Sequence, residues 1–181
     1  MMAKKVIQNP GEPGKSALLV IDVQRELFEK STPIFKSDSL LENIKRLVDK
    51  AHAAGALVVY IQHNADKYLL KGSEGWQLHP ALTPLPGDVL LNKQISNAFE
   101  GTNLADILSA RDIGRLVAAG LVTHGCVKNT CLGGLERGYQ VVLAGDAHSS
   151  FSKDAQALIQ KWHTTLSAKG AEVKSTAEID F

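Results

Sequence analysis

Three residues with complementary chemistry each stand where an apolar stretch of the chain ends. Asp22 follows ALLVI, Lys93 closes DVLLNK, and Cys126 comes shortly after RLVAAGLV. The thiolate of cysteine is a strong nucleophile, but a free thiol with a pKa near ~8.5 must be shifted by a cation, a helix N-terminus or a base before it reacts well at neutral pH. A lysine supplies the cation and an aspartate takes the proton, so the three residues predict a cysteine nucleophile.

The order of apolar runs predicts how these residues are brought together. Short, nearly continuous apolar runs alternate with helical patterns, which is typical of a parallel sheet with helices on both faces. We therefore predict an α/β fold, a doubly wound three-layer α/β/α domain with a mostly parallel sheet of about six strands. Strands are predicted at residues 16–23, 56–63, 88–93, 115–122, 140–147 and 171–174, and helices at 37–55, 103–112, 125–138 and 153–170. Ligands of such sheets bind outside the carboxyl ends of the strands, where all three residues fall.

Each of the three residues also has an ordinary structural interpretation. An aspartate at a strand end can cap a helix, a lysine can be a solvated loop residue, and a single cysteine is more often buried filler than a nucleophile. The presence of all three on one edge favours catalysis. Cys131, five residues after Cys126, is expected to pack in the core, and this pair suits neither a disulfide nor a zinc site.

Length, charge and hydropathy exclude several classes of function. The 181 residues suit one domain over residues 16–181, preceded by a mobile arm at 1–15 that is rich in proline and glycine. A net charge of +1 gives no field to attract nucleic acid or an anionic membrane. The chain has no apolar run of ~20 residues and no signal-peptide pattern, so we predict a cytoplasmic protein with reduced thiols. The turn after the first strand, DVQREL, lacks a glycine-rich phosphate loop, which disfavours nucleotide binding.

Three blocks of sequence resemble the isochorismatase-like cysteine hydrolases, a superfamily that includes nicotinamidases and other small-amide hydrolases. The blocks are ALLVIDVQRELF, GWQLHPALTPLPGDVLLNKQISNAFEGTNL and AGLVTHGCVKNTCLGGLERGYQVVLAGDAHSS. The resemblance implies that Asp22 takes the thiol proton, Lys93 holds the charges, and Cys126 attacks a carbonyl to give an acyl-thioester. It also implies a cis peptide between Leu121 and Val122, with the N–H groups of Val122 and Cys126 forming an oxyanion hole.

Departures from the family pattern narrow the expected chemistry. Nicotinamidases of this superfamily hold a metal after the second strand, but here that segment offers His63, Asn64, Asp66 and a distant His79 without the close Asp-x-His arrangement. We therefore expect no metal and no other cofactor. Because Cys126 is present, we expect hydrolysis of a small-molecule amide. The alternatives are an isochorismatase-type hydrolase of a vinyl ether and a non-catalytic relative that binds small molecules or senses redox state.

A further set of residues near the same edge is predicted to contact a small, partly aromatic substrate. Its members are Gln24, Phe28, Trp76, Phe99, His124, Lys128, His148 and Phe151. The aromatic residues Trp76, Phe99 and Phe151 serve equally well as loop anchors or subunit contacts, and His148 as a hydrogen-bonded loop residue. By analogy with the family we expect a homodimer or homotetramer.

Overall fold

The computed structural model describes residues 14–181 and contains a single sheet with helices on both faces. The arm predicted for residues 1–15 lies, apart from Gly14 and Lys15, outside the described residues. The strands are β1 (Ser16–Ile21), β2 (Leu57–His63), β3 (Val89–Lys93), β4 (Arg115–Leu121), β5 (Gln140–Ser149) and β6 (Glu172–Lys174). The helices are α1 (Arg25–Phe28), α2 (Ser37–Ala53), α3 (Leu104–Ser109), α4 (Lys128–Glu136) and α5 (Ala155–Ala168).

The six strands pair in the order β3-β2-β1-β4-β5-β6, and every pairing is parallel. The central strand β1 is buried along its whole length, as its continuous apolar run predicts. The predicted α/β fold is therefore confirmed. Since all carboxyl ends meet at one edge, the residues that follow β1, β3 and β4 are gathered there.

Alternate residues of each strand feed two separate cores because successive side chains point to opposite faces. Leu18 and Val20 of β1 pack in the core covered by α2, together with its buried stripe of Leu40, Ile44, Leu47, Val48 and Ala51. Ala17, Leu19 and Ile21 pack in the other core, under α3, α4 and α5. Burial on both faces fixes the register, so the strand ends are held rigidly.

The segment that carries Cys126 differs from the predicted helix at 125–138. Thr123–Val127 form a kinked π-type turn, in which Gly125 has non-helical φ and ψ of −121° and −110°, and α4 begins only at Lys128. Cys126 therefore stands in a turn before the regular helix. The peptide bond between Leu121 and Val122 is cis, as the family resemblance implied.

Gly120 permits the close approach of β4 to β1 just before this turn. Its φ is +120°, and a Cβ at this position would lie 2.0 Å from the carbonyl oxygen of Ile21. No other residue fits such a contact with backbone. The strand that leads to Cys126 thus passes directly against the strand that leads to Asp22.

The long segment between β2 and β3 contains no helix or regular strand. It is tied to the end of β1 by a backbone bridge between Gln24 and Leu78. The short helix α1 was not predicted, because its four residues are too few to show a helical period. Within residues 14–181, no helix has both the length and the apolar character needed to cross a bilayer.

Candidate active site

The strand ends place Asp22, Lys93 and Cys126 together, as the sequence predicts. Asp22 directly follows β1 with a left-handed φ of 52°, and its N–H donates to Ile61 of β2 at 2.8 Å. Lys93 is the last residue of β3 and is in register with His63, the last residue of β2. Cys126 reaches the same point from the turn after β4.

The ammonium group of Lys93 is the centre of the cluster. Its Nζ lies 3.0 Å from Asp22 Oδ2, 3.0 Å from His63 Nδ1 and 3.1 Å from Cys126 Sγ. An ammonium has three N–H donors, so all three are engaged. The Lys93 side chain is 0% exposed and that of Asp22 5%, which makes this a buried ion pair whose strength depends on excluding water.

Burial raises the pKa of both groups that would exchange a proton. It raises the pKa of Asp22, against the opposing effect of the Lys93 charge. Burial and the Asp22 charge also raise the pKa of Cys126 to about 11, although Lys93 lowers it. The thiol is therefore protonated at neutral pH. A pKa raised in this way means that a base must remove the proton before the sulfur can react as a thiolate.

His63 is the residue of the cluster whose part does not follow from the sequence, where it is only one of several polar residues after the second strand. Burial and the Lys93 charge lower its pKa, so the ring is neutral and its Nδ1 accepts a hydrogen bond from Lys93. The signal was its position at the end of β2, opposite Lys93 in the neighbouring strand. His63 thus orients the ammonium group toward Asp22 and Cys126.

Asp22, His63 and Cys126 also form a set of potential metal ligands. Their ligand atoms lie within 4.8 Å of one another, and within residues 14–181 this is the one group of three such side chains. However, Lys93 Nζ lies within 3.1 Å of an atom of each. The ammonium occupies the centre where a cation would be bound, so this donor set does not fit a metal ion.

Three of the predicted substrate contacts do not fit their positions. Gln24 is fully buried, and both N–H groups of its amide donate to backbone, to the carbonyls of His63 and Trp76 at 3.0 and 2.9 Å. Its Oε1 accepts from the His63 N–H at 2.8 Å. Gln24 is therefore a brace between β1, β2 and the long loop.

Phe99 lies in the core under α4 and is 6% exposed. Its ring stacks on Tyr139 with the centroids 5.8 Å apart. In the structure Phe99 packs as a core residue, which its sequence proximity to Lys93 does not reveal because that proximity does not show which way the chain turns after β3. Here it turns under the sheet.

His148 is also turned away from the site. It is 3% exposed and lies within β5, which extends two residues beyond the predicted end. The Thr123 hydroxyl donates to the Ser149 carbonyl at 3.0 Å and so accepts from His148 Nδ1 at 2.8 Å. His148 Nε2 contacts His163 Nε2 of α5 at 2.9 Å. Both ring nitrogens have partners within the protein, so His148 supports the turn that carries Cys126.

The remaining predicted contacts each have a neighbour within the protein. Trp76 donates from Nε1 to Asn64 Oδ1 at 2.5 Å, and Phe28 packs on His79 with ring centroids 4.6 Å apart. His124 is exposed and its Nδ1 lies 3.3 Å from Ser150 Oγ. Phe151 packs beside the α2 core, whereas the Lys128 ammonium lies 4.6 Å from the Trp162 ring centroid.

Acid is expected to destabilise the protein through His148. Burial and His163 lower the pKa of His148 from 6.5 to about 3, so the fold favours the neutral ring. The stability that comes from keeping His148 neutral is fully present above its pKa in the unfolded chain, about 6.5, and is lost as the pH falls toward its pKa in the folded protein. Between pH 7 and pH 5 we expect a loss of about 2 kcal/mol in the free energy of unfolding, measured by urea denaturation.

The control for this measurement is His148→Asn, whose amide N–H can still donate to Thr123. The variant is expected to be less stable at pH 7, but its stability should depend less steeply on pH between 7 and 5. An equal pH dependence in both proteins would show that another group is responsible.

A cavity of about 690 Å³ lies at the opposite edge of the sheet, lined by residues such as Ser16, His52 and Asp88. It contains no member of the cluster around Lys93. The site is thus defined by the convergence of reactive groups at the carboxyl ends of the strands.

The sequence model of the isochorismatase domain family matches residues 16–178, which are most of the chain. The chain belongs to the isochorismatase family. The resemblance shown by the three sequence blocks is therefore confirmed. Asp22, Lys93 and Cys126 all lie within the matched residues.

Isochorismatase-family relatives are similar over much of the chain. Streptothricin hydrolase from Streptomyces noursei is 33% identical over 137 residues, which are 75% of this chain and 54% of that protein. Ureidoacrylate amidohydrolase from Cronobacter sakazakii is 30% identical over 173 residues, covering 75% of each chain. The structure of N-carbamoylsarcosine amidase from Thermoplasma acidophilum has a TM-score of 0.82 and 27% identity, covering 92% of this chain and 99% of that one. The chain spans about half the length of the streptothricin hydrolases it matches.

Proposed function

We propose that this isochorismatase-family hydrolase cleaves the C–N bond of a small-molecule amide, with Cys126 as the nucleophile. The observation that carries the proposal is the buried contact of one ammonium, Lys93, with both the Asp22 carboxylate and the Cys126 sulfur. Acid, cation and thiol are the three groups that acyl transfer by a cysteine needs. The names of two relatives, an amidohydrolase and an amidase, support an amide as the substrate.

In the first half of the reaction, Asp22 accepts the thiol proton while Cys126 Sγ bonds to the carbonyl carbon. The raised pKa values of Asp22 and Cys126 suit this transfer, because a more basic carboxylate meets a thiol that is still protonated. As the tetrahedral intermediate collapses, the C–N bond breaks and Asp22 returns the proton to the leaving nitrogen. The product is the amine or ammonia, and the acyl group remains as a thioester.

In the second half, water attacks the thioester carbonyl and gives its proton to Asp22. The C–S bond then breaks, the acid leaves, and Cys126 recovers the proton from Asp22. Lys93 keeps its charge throughout and stabilises whichever of the two neighbours is anionic. No step requires a metal ion, so we propose a metal-independent reaction.

We further propose that the N–H groups of Val122 and Cys126 stabilise the oxyanion. Val122 follows the cis peptide and Cys126 lies four residues later in the kinked turn, so both belong to the segment that presents the sulfur. Each donor of this kind typically contributes ~10²–10³ in rate. The Thr123 and His148 hydrogen bonds hold the same segment in place.

A panel of small amides tests the proposal. The panel comprises primary amides, N-carbamoyl compounds and ureido acids, assayed for ammonia release with and without a chelator. We expect at least one compound to be hydrolysed at a rate that the chelator leaves unchanged, and a brief incubation to leave an acyl group on Cys126 by mass spectrometry. Hydrolysis that stops on adding chelator contradicts the metal-independent reaction. A Cys126 that forms a sulfenic acid while the whole panel stays intact favours the redox-sensing alternative.

A further inference from the structure

We propose that Lys30 binds an anionic group of the substrate, so that this site prefers amides that carry a carboxylate. The inference rests on the proposed amide hydrolysis and names its substrate class. Lys30 lies in the segment after α1 and is exposed. Its Nζ lies 5.0 Å from the ring centroid of Tyr68 and 5.2 Å from that of Phe151, between two aromatic side chains from different parts of the chain.

Two chains of contacts link Lys30 to the cluster around Lys93. On one side, the Tyr68 ring stacks on His63 with centroids 6.4 Å apart, and His63 contacts Lys93 at 3.0 Å. On the other side, Phe151 follows Ser150, whose Oγ lies 3.3 Å from His124 Nδ1 in the turn that carries Cys126. Lys30 therefore contacts two aromatic side chains, each of which is linked to the cluster around Lys93.

Tyr68 is held in place by Leu69, its neighbour in sequence. Leu69 is 1% exposed, has a left-handed φ of 50°, and donates its N–H to Glu26 Oε2 at 2.7 Å. The exposed Tyr68 is thus attached to a fixed point of the core. The two rings restrict the position of the Lys30 ammonium, so less side-chain entropy remains to be lost when a ligand binds.

The charge of Lys30 is not neutralised by the acidic residues around it. Arg25 pairs with both Glu29 and Glu74, at 2.9 and 2.5 Å, and the Glu26 carboxylate accepts from Leu69. The salt bridges within residues 14–181 do not include Lys30. Aromatic faces attract an ammonium but do not cancel its charge. The ammonium of Lys30 is therefore available to pair with a carboxylate of a substrate.

Labelling of Cys126 tests this inference without requiring turnover. The probes are 3-maleimidopropanoate, which is anionic, and N-ethylmaleimide, which is neutral. In Lys30→Gln the ratio of the anionic to the neutral labelling rate is expected to fall by about fivefold, and in Lys30→Glu to fall further. The matched control is Lys71→Gln, which removes an exposed lysine of the neighbouring loop and should leave the ratio unchanged.

Turnover provides a second, separate readout. Succinamate and its neutral analogue 4-oxopentanamide differ only at the end remote from the amide, and the preference for succinamate in kcat/KM should fall by a similar factor in Lys30→Gln, mainly through KM. An unchanged labelling ratio in Lys30→Gln would overturn the inference even if amides are hydrolysed. A changed ratio with no amide hydrolysed supports Lys30 and contradicts the proposed function. Failure of both probes to label Cys126 counts against both.

Discussion

Replacing Cys126 with alanine is expected to reduce amide turnover by at least about 10⁴-fold, because the acyl-thioester can no longer form. The free energy of unfolding should change by no more than about 1 kcal/mol, since Cys126 is only partly buried and alanine leaves a small gap. Turnover is measured as ammonia release, and unfolding by urea denaturation of the same preparation.

Cys131 provides the matched control, since it is the other cysteine of the chain. It is 1% exposed and burial raises its pKa to about 12, so it is protected from solvent and remains protonated. Cys131→Ala is expected to retain turnover and to lose stability through the cavity it creates. A Cys126→Ala protein that keeps a tenth or more of the wild-type rate would remove Cys126 from the mechanism.

Replacing Lys93 with methionine is expected to reduce both activity and stability. Methionine keeps much of the length of the side chain but leaves the buried Asp22 without its counter-charge. Breaking a buried ion pair in this way costs about 3–5 kcal/mol. The pKa of Asp22 then rises further, so that at neutral pH the base is protonated and turnover falls by about 10² to 10⁴.

The pH dependence of stability distinguishes this cause from simple loss of packing. A carboxyl group whose folded pKa is raised contributes its full stability below the unfolded pKa of about 3.9 and loses it as the pH rises toward the folded value. The stability deficit of Lys93→Met should therefore be larger at pH 7 than at pH 4. A deficit that is the same at both pH values indicates a packing defect instead.

The double variant Lys93→Met with Asp22→Asn separates chemistry from stability. Removing the second charge leaves no uncompensated ion, so part of the lost stability is expected to return while turnover stays low. In the single variant Lys93→Met, alkylation of Cys126 should also slow, because Lys93 lowers the pKa of the thiol. An unchanged alkylation rate would exclude Lys93 from activating the sulfur.

The position of the site could be predicted from the sequence because the strands are easily recognised as short apolar runs. Continuous apolar runs such as ALLVI and RLVAAGL are buried on both faces, which requires a parallel sheet with helices on each side. In a parallel sheet the ends of all strands share one edge, so residue order alone gathers Asp22, Lys93 and Cys126. The identity of the reactive side chains adds the chemistry.

The tertiary structure decided which polar residues are available to a ligand. Gln24 and His148 lie at or near strand ends, as the cluster residues do. Their hydrogen-bonding groups, however, already bond to other groups of the protein. These hydrogen bonds are made with partners that are distant in sequence. His63, for example, which accepts from Gln24, is 39 residues away. A single sequence does not reveal those partners.

The protonation of the nucleophile was also a tertiary property. The sequence determined that an acid, an ammonium and a thiol share one edge, from which an activated thiol was predicted. In the folded protein, burial and the Asp22 charge outweigh Lys93 and raise the pKa of Cys126 to about 11. Desolvation depends on how many atoms surround a group, which only the packed structure specifies. The sequence thus determined which groups meet, and the packing around the sulfur decided that the pKa of its thiol is raised.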